Sequence, residues 1–72
     1  MANPDICVRF GRRVQRERKK RNLKQVDLSV ATGLTRSTIS QIENGRQEVG
    51  LRTIEKIANG MEIPIVSLFR SL

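Results

Sequence analysis

Arg36, Ser37, Ser40 and Gln41 stand close together in the chain, threaded around Ile39 and Ile42. At about 100° per residue, a helix that turns both isoleucines inward turns these four polar side chains outward. The Arg36 guanidinium and the Gln41 carboxamide each offer paired hydrogen-bonding groups in one plane, and the two serine hydroxyls donate or accept at short reach. Such a set recognises by hydrogen bonding. The rest of the chain offers little for catalysis: there is no histidine, a single cysteine (Cys7) and no phosphate-cradling glycine loop. No zinc site, nucleophile–base pair or carboxylate pair in a cleft is predicted, no cofactor is implied, and an enzyme is not expected. Cys7 reads as a bland helical residue, with an intermolecular bridge as the alternative.

Charge narrows the partner. Fourteen Lys and Arg against seven Asp and Glu leave a net +7. A basic domain of this size suits a polyanion, nucleic acid above all, although a merely solubilising surface would look similar. A membrane surface is disfavoured, since apolar residues are scattered and Trp and Tyr are absent. No apolar run nears the roughly 20 residues needed to cross a bilayer, and no signal-like stretch follows Met1, so a cytoplasmic location is expected. With 72 residues the chain makes one domain. A domain this short buries only about 60% of its unfolded surface and is modestly stable unless it self-associates.

The elements that must position the polar set follow from spacing. "PDICVRFGRRVQRERKKRN" reads as a first helix, with Pro4 and Asp5 suited to its first turn and Ile6, Phe10 and Val14 as its apolar stripe. Eight of the fourteen basic residues lie between Arg9 and Arg21, mostly a solvated outer face, and Asn22 suits a left-handed cap. "KQVDLSVAT" predicts a short second helix with Val26, Leu28 and Ala31 turned inward, ended by a sharp turn at Gly33. Thr35 then caps a third helix, Arg36 to Glu43, which Asn44 and Gly45 stop. Leu51, Ile54, Ile57, Ala58 and Met61 mark a fourth helix. A short fifth begins at Pro64 and bears Ile65, Leu68 and Phe69. The expected fold is all-α, a compact bundle of five short helices.

Two short helices joined by a glycine-containing turn make a helix-turn-helix unit. From about Phe10 to Phe69 the chain resembles the phage-repressor (Cro- and Xre-like) helix-turn-helix family. The resemblance is carried by "FGRRVQRERKKRNLKQ", "LSVATGLTRSTISQIENG" and "LRTIEKIANGMEIPIVSLF" in that order. Four positions depart from the common pattern: Glu17 and Thr32 replace aliphatic residues, Ser29 replaces Ala, and Glu62 stands at a turn often given to Gly. Ser29 must find a partner for its hydroxyl, and a carbonyl one turn back is the expected one.

The resemblance implies double-stranded DNA as partner, with the second and third helices as its reading unit. Base-reading residues would be Arg36, Ser37, Ser40 and Gln41; Arg pairs with guanine and Gln with adenine in the major groove. Phosphates would be held by Lys24 and Gln25 at the start of the second helix, by Thr35, by Asn44, Gly45 and Arg46 after the third, and by Arg52 in the fourth. Arg18 and Glu43 would form a partly buried ion pair that orients helix one on helix three.

Ile63, Ile65, Val66, Phe69 and Leu72 make the C-terminal segment, about residues 61–72, more apolar than one short helix can bury. A two-fold dimer interface there would set two reading helices roughly 34 Å apart over a near-palindromic site. The expected function is therefore sequence-specific transcription regulation as a homodimer. Repression follows if the operator overlaps a promoter, and activation if a surface touches RNA polymerase. Family members of this size include Cro-like repressors and controller proteins of restriction–modification systems, with a slight lean to the latter. An antitoxin, using the C-terminal apolar surface to bind a toxin, is the alternative.

Overall fold

Asp5 starts the first helix: its carboxylate accepts the Cys7 N–H at 2.9 Å. In the computed structural model, which describes residues 4–72, α1 then runs Ile6–Lys20, α2 Gln25–Thr32, α3 Arg36–Glu43 and α4 Leu51–Gly60. The expected fifth helix is only a single 3-10 turn, Ile65–Leu68. Four residues following a proline are too few for a stable α-helix, so the turn closes with i→i+3 bonds such as Ser67 N–H to the Pro64 carbonyl at 2.9 Å. No strand occurs among the described residues.

Phe10, Val14, Leu28, Ile39, Ile42, Ile57, Ala58 and Leu68 form the enclosed core, to which every element contributes. Four expected core positions lie outside it. Ile6 and Leu51 (83% exposed) are the first residues of α1 and α4 and overhang the bundle by one turn. Val26 and Ala31 are exposed because α2 presents only a narrow face, that of Leu28; helical geometry puts Val26 about 160° round the axis from Leu28.

The junction between α2 and α3 is braced by hydroxyls. Gly33 adopts φ 77°, a left-handed conformation. Ser29 Oγ reaches forward across the turn and donates to the Leu34 carbonyl at 2.6 Å, not to a carbonyl one turn back. The backward bond is made by Thr32, whose Oγ1 donates to the Leu28 carbonyl at 2.7 Å and accepts the Leu34 N–H at 3.2 Å. The two residues that depart from the common pattern here thus fix the angle between the helices. Asn22 and Glu62 both adopt φ 57°, the left-handed state expected at those turns.

Helix α1 lies close on the end of α3. A Cβ at Gly11 would collide with the carbonyl oxygens of Ile42 and Glu43, so only glycine permits this approach.

Candidate nucleic-acid interface

The N-cap at Thr35 fixes where α3 begins. Its Oγ1 accepts the Thr38 N–H at 3.0 Å and bonds the Thr38 hydroxyl at 2.9 Å, so the hydroxyl proposed for a phosphate is already engaged in the cap. With Ile39 and Ile42 buried, Arg36, Ser37 and Gln41 are exposed and Ser40 half-buried. Gln25, Arg36, Ser37, Ser40, Gln41 and Arg46 line one shallow depression. The four residues read from the sequence as a recognition set therefore share one concave surface, flanked by two of the phosphate candidates. Ser40 is partly occupied: Asn44 Nδ2 donates to its carbonyl at 2.8 Å and approaches its Oγ at 3.4 Å.

A second depression opens at the start of α2, lined by Arg18, Leu23, Lys24, Gln25, Val26 and Arg36. Lys24 is the N-cap and gives no side-chain cap bond. Its own N–H is taken by the Asp27 carboxylate at 2.8 Å. The leading N–H groups of α2 thus have no side-chain cap and lie beside a depression that the cationic side chains of Lys24 and Arg36 also line, the arrangement that attracts an anion.

Behind these depressions sits a buried polar network. Arg18 and Glu43 pair through two bonds, Nε to Oε2 at 2.7 Å and Nη2 to Oε1 at 3.0 Å. Arg18 Nη1 donates to the Leu23 carbonyl at 2.8 Å, and Gln25 Nε2 donates to Glu43 Oε1 at 3.1 Å. One carboxylate thereby ties α1, the first residue of α2 and the last residue of α3. The Glu43 hydrogen bonds hold the Arg18 guanidinium firmly charged. Arg18 and Glu43 are buried, and Gln25 is held with one amide proton engaged.

After α3 the main-chain donors are spent. The N–H groups of Asn44, Gly45 and Arg46 donate to the carbonyls of Ser40, Ile42 and Gln41, each at 3.0 Å. Gly45, at φ 68°, lies so close to Val8 that a Cβ would overlap it. This corner offers an exposed Arg46 side chain and the Asn44 carboxamide, while Gly45 contributes shape alone. Arg52 is exposed in the first turn of α4 and lines neither depression.

Several charged residues read as solvated have structural partners. Arg9 donates to the carbonyls of Pro4 and Leu72 at 2.8 and 2.7 Å. Arg13 donates to the Ser67 and Arg70 carbonyls. These two arginines strap the C-terminal segment to α1, a role invisible in a run of like charges. Glu17 is buried and accepts from Arg21 Nη1 at 2.8 Å; that hydrogen bond lowers its pKa below the ordinary carboxylate value, against the opposing pull of burial. The i, i+4 spacing of Glu17 and Arg21 was the available signal.

At the C-terminal end, Ile65, Val66 and Phe69 are exposed, whereas Ile63 and Leu72 are half-buried against the protomer's own core. Phe69 stacks on Phe10 at 5.4 Å between ring centres. Beside it lies an apolar groove lined by Ile6, Cys7, Phe10, Val49 and Ile54. No helix among the described residues is long and apolar enough to cross a membrane.

The helix-turn-helix family model matches residues 14–68. The control protein C.MunI of a Mycoplasma species is 38% identical over 69 residues, covering 94% of this chain and 93% of that protein. The restriction-modification controller protein C.AhdI from Aeromonas hydrophila superposes with a TM-score of 0.86 at 35% identity, over 88% of this chain and 96% of its own. A more distant match in fold alone, at 24% identity and a TM-score of 0.85, is the controller protein C.Esp1396I, solved as a tetramer with its natural 35-base-pair operator; 93% of this chain and 88% of that chain are covered.

Proposed function

This chain belongs to the helix-turn-helix family, and from that premise we propose that it is a sequence-specific DNA-binding transcriptional regulator, a homodimer acting on a near-palindromic operator in the manner of a restriction–modification controller protein. The observation that carries the reading is the single depression lined by Arg36, Ser37, Ser40 and Gln41 and flanked by Gln25 and Arg46. A major groove admits one α-helix, and the exposed planar groups of Arg36 and Gln41 on α3 suit it: bidentate Arg–guanine and Gln–adenine pairs each discriminate by about 1–3 kcal/mol. Ser37 and Ser40 allow the helix to come close.

Phosphates on one side would rest on the open N–H groups of α2, with Lys24 and Gln25. On the other side Arg46 and Asn44 would hold the backbone, and Arg52 would extend that hold. Thr35 would act as the cap that sets the start of α3. The Arg18–Glu43–Gln25 network would orient both helices on α1 and bind no DNA itself.

A second copy would cover Ile65, Val66 and Phe69, with Ile63 and Leu72 supporting them from the core side. The working place is the cytoplasm, and RNA polymerase becomes a partner where the operator lies next to a promoter. The similarity to C.MunI and C.AhdI along nearly their whole lengths supports the controller assignment. Selection from a random duplex pool tests the reading. An enriched two-fold motif with half-sites about one turn apart is expected; retention of DNA with no enriched motif would overturn it.

A further inference from the structure

We propose that the outer face of α1 is a second, sequence-independent surface for the phosphate backbone of duplex DNA, directed away from the recognition helix. At about 100° per residue, Arg9, Arg12, Arg13, Arg16 and Lys20 fall within a single arc of roughly 100°. Gly11 and Arg18, which mark where α1 meets α3, lie about 160° from the centre of that arc. A straight duplex seated on α3 therefore cannot touch the ridge, and a second duplex segment can.

The ridge is about 16 Å long from Arg9 to Lys20, and its acidic neighbour within the helix is Glu17, which lines one depression with Arg13, Arg16 and Lys20. Glu17 is the one acid in α1, and it is buried and already paired with Arg21. Solvated faces usually mix both signs; this one does not. Two adjoining depressions sit between α1 and the C-terminal segment, and Arg13, Arg16 and Ser71 line both. The straps from Arg9 and Arg13 to main-chain oxygens of Leu72 and Ser67 hold part of the ridge in place. Arg12, Arg16 and Lys20 are exposed.

The chemistry favours a phosphodiester backbone over other anions. The ridge is rich in arginine, whose planar fork suits phosphate oxygens, and it spans about the length over which a duplex presents several phosphates. It carries no aromatic residue for stacking single strands and no apolar residue for entering a bilayer.

The test uses the full chain and a short random-sequence duplex. In a Lys24→Ala/Arg36→Ala/Gln41→Ala/Arg46→Ala/Arg52→Ala background the base-reading and cationic phosphate side chains of the recognition face are removed, and the ridge should still bind duplex with a steep salt dependence. Adding Arg12→Gln/Arg16→Gln/Lys20→Gln should then lower the slope of log K against log salt by about 0.9 for each phosphate no longer neutralised, about two to three phosphates in all. Arg16→Gln alone should lower it by about 0.9, and glutamine keeps the helix propensity, as thermal melting checks. Unchanged slopes in both sets, or no duplex binding by the recognition-face variant, would overturn the proposal. So would a ridge whose neutralisation abolishes binding of polyglutamate but leaves duplex binding intact, which would assign it to an acidic protein. None of these readouts depends on an enriched operator motif, so the ridge and the regulator reading fail separately.

Discussion

Deleting the Glu43 carboxylate removes the centre of the buried polar network. Glu43→Ala removes the acceptors of three hydrogen bonds, two from Arg18 at 2.7 and 3.0 Å and one from Gln25 at 3.1 Å. Arg18 would be left with the Leu23 carbonyl alone, and at 6% exposure its guanidinium has little water to turn to. Leaving such a charge unpaired costs about 3–5 kcal/mol. A chain of this length ordinarily holds about 4–11 kcal/mol in total, so the variant should sit near its unfolding threshold. At about 4–8 °C per kcal/mol, its Tm should fall by at least ~12 °C. Urea denaturation at neutral pH, followed by circular dichroism, measures the loss in Glu43→Ala, Arg18→Met and the double variant Arg18→Met/Glu43→Leu. The double variant should recover most of the stability, because neither charge remains orphaned. A loss below about 1 kcal/mol in the single variants, the range of an exposed pair, would refute the network as a buried brace.

The remaining expectations use other parts of the molecule. Glu17 has a lowered pKa in the fold, so the unfolded chain binds its proton more readily; its contribution is full above the ordinary carboxylate pKa and is lost as pH falls through the lowered value. Glu17→Gln should flatten that part of the acid limb in urea midpoints taken from neutral to acidic pH. Gly11→Ala gains about 1 kcal/mol of helix propensity but forces α1 off α3, and overpacking of about 1–3 kcal/mol or more should leave it less stable on thermal melting. Leu51→Gln, at a position whose spacing looks like core, should change the stability measured by urea denaturation by no more than about 0.5 kcal/mol. Arg36→Ala should relax specificity at one base of a selected site, whereas Lys24→Ala should weaken all sequences alike and lower the salt slope by about 0.9.

The helix boundaries were legible wherever a residue type has a single local use. Thr35, Gly33, Asn22 and Gly45 stand where a cap or a left-handed turn is needed, and the structure places each of them so. The Arg18–Glu43 pair was legible only through family resemblance, since nothing in the spacing of residues 25 positions apart announces that they meet. Helical period misled at Ile6, Val26, Ala31 and Leu51, because period describes a face and says nothing of whether a neighbour covers it. The roles of Arg9 and Arg13 were hidden for a related reason. Their partners are main-chain carbonyls, which leave no trace in side-chain identity. At the interface, sequence distinguished the outward face of α3 but not which of its hydroxyls and amides are already in use.

That distinction divides the proposed interface into two kinds of work. Helix α3 is capped at both ends: Thr35 takes the Thr38 N–H at its start, and the amides of Asn44, Gly45 and Arg46 close its last turn. It also presents the exposed side chains of Arg36, Ser37 and Gln41, and side chains are what discriminate base edges. Helix α2 does the reverse. With lysine as its N-cap it keeps its first N–H groups open, and open main-chain donors suit a phosphate, which carries no sequence information. Exchanging Lys24 for a capping residue such as Ser should then stabilise the free protein by about 0.5–2 kcal/mol while weakening DNA binding at every sequence. A domain whose stability and affinity rose together in Lys24→Ser would show that the open helix end has no phosphate to hold.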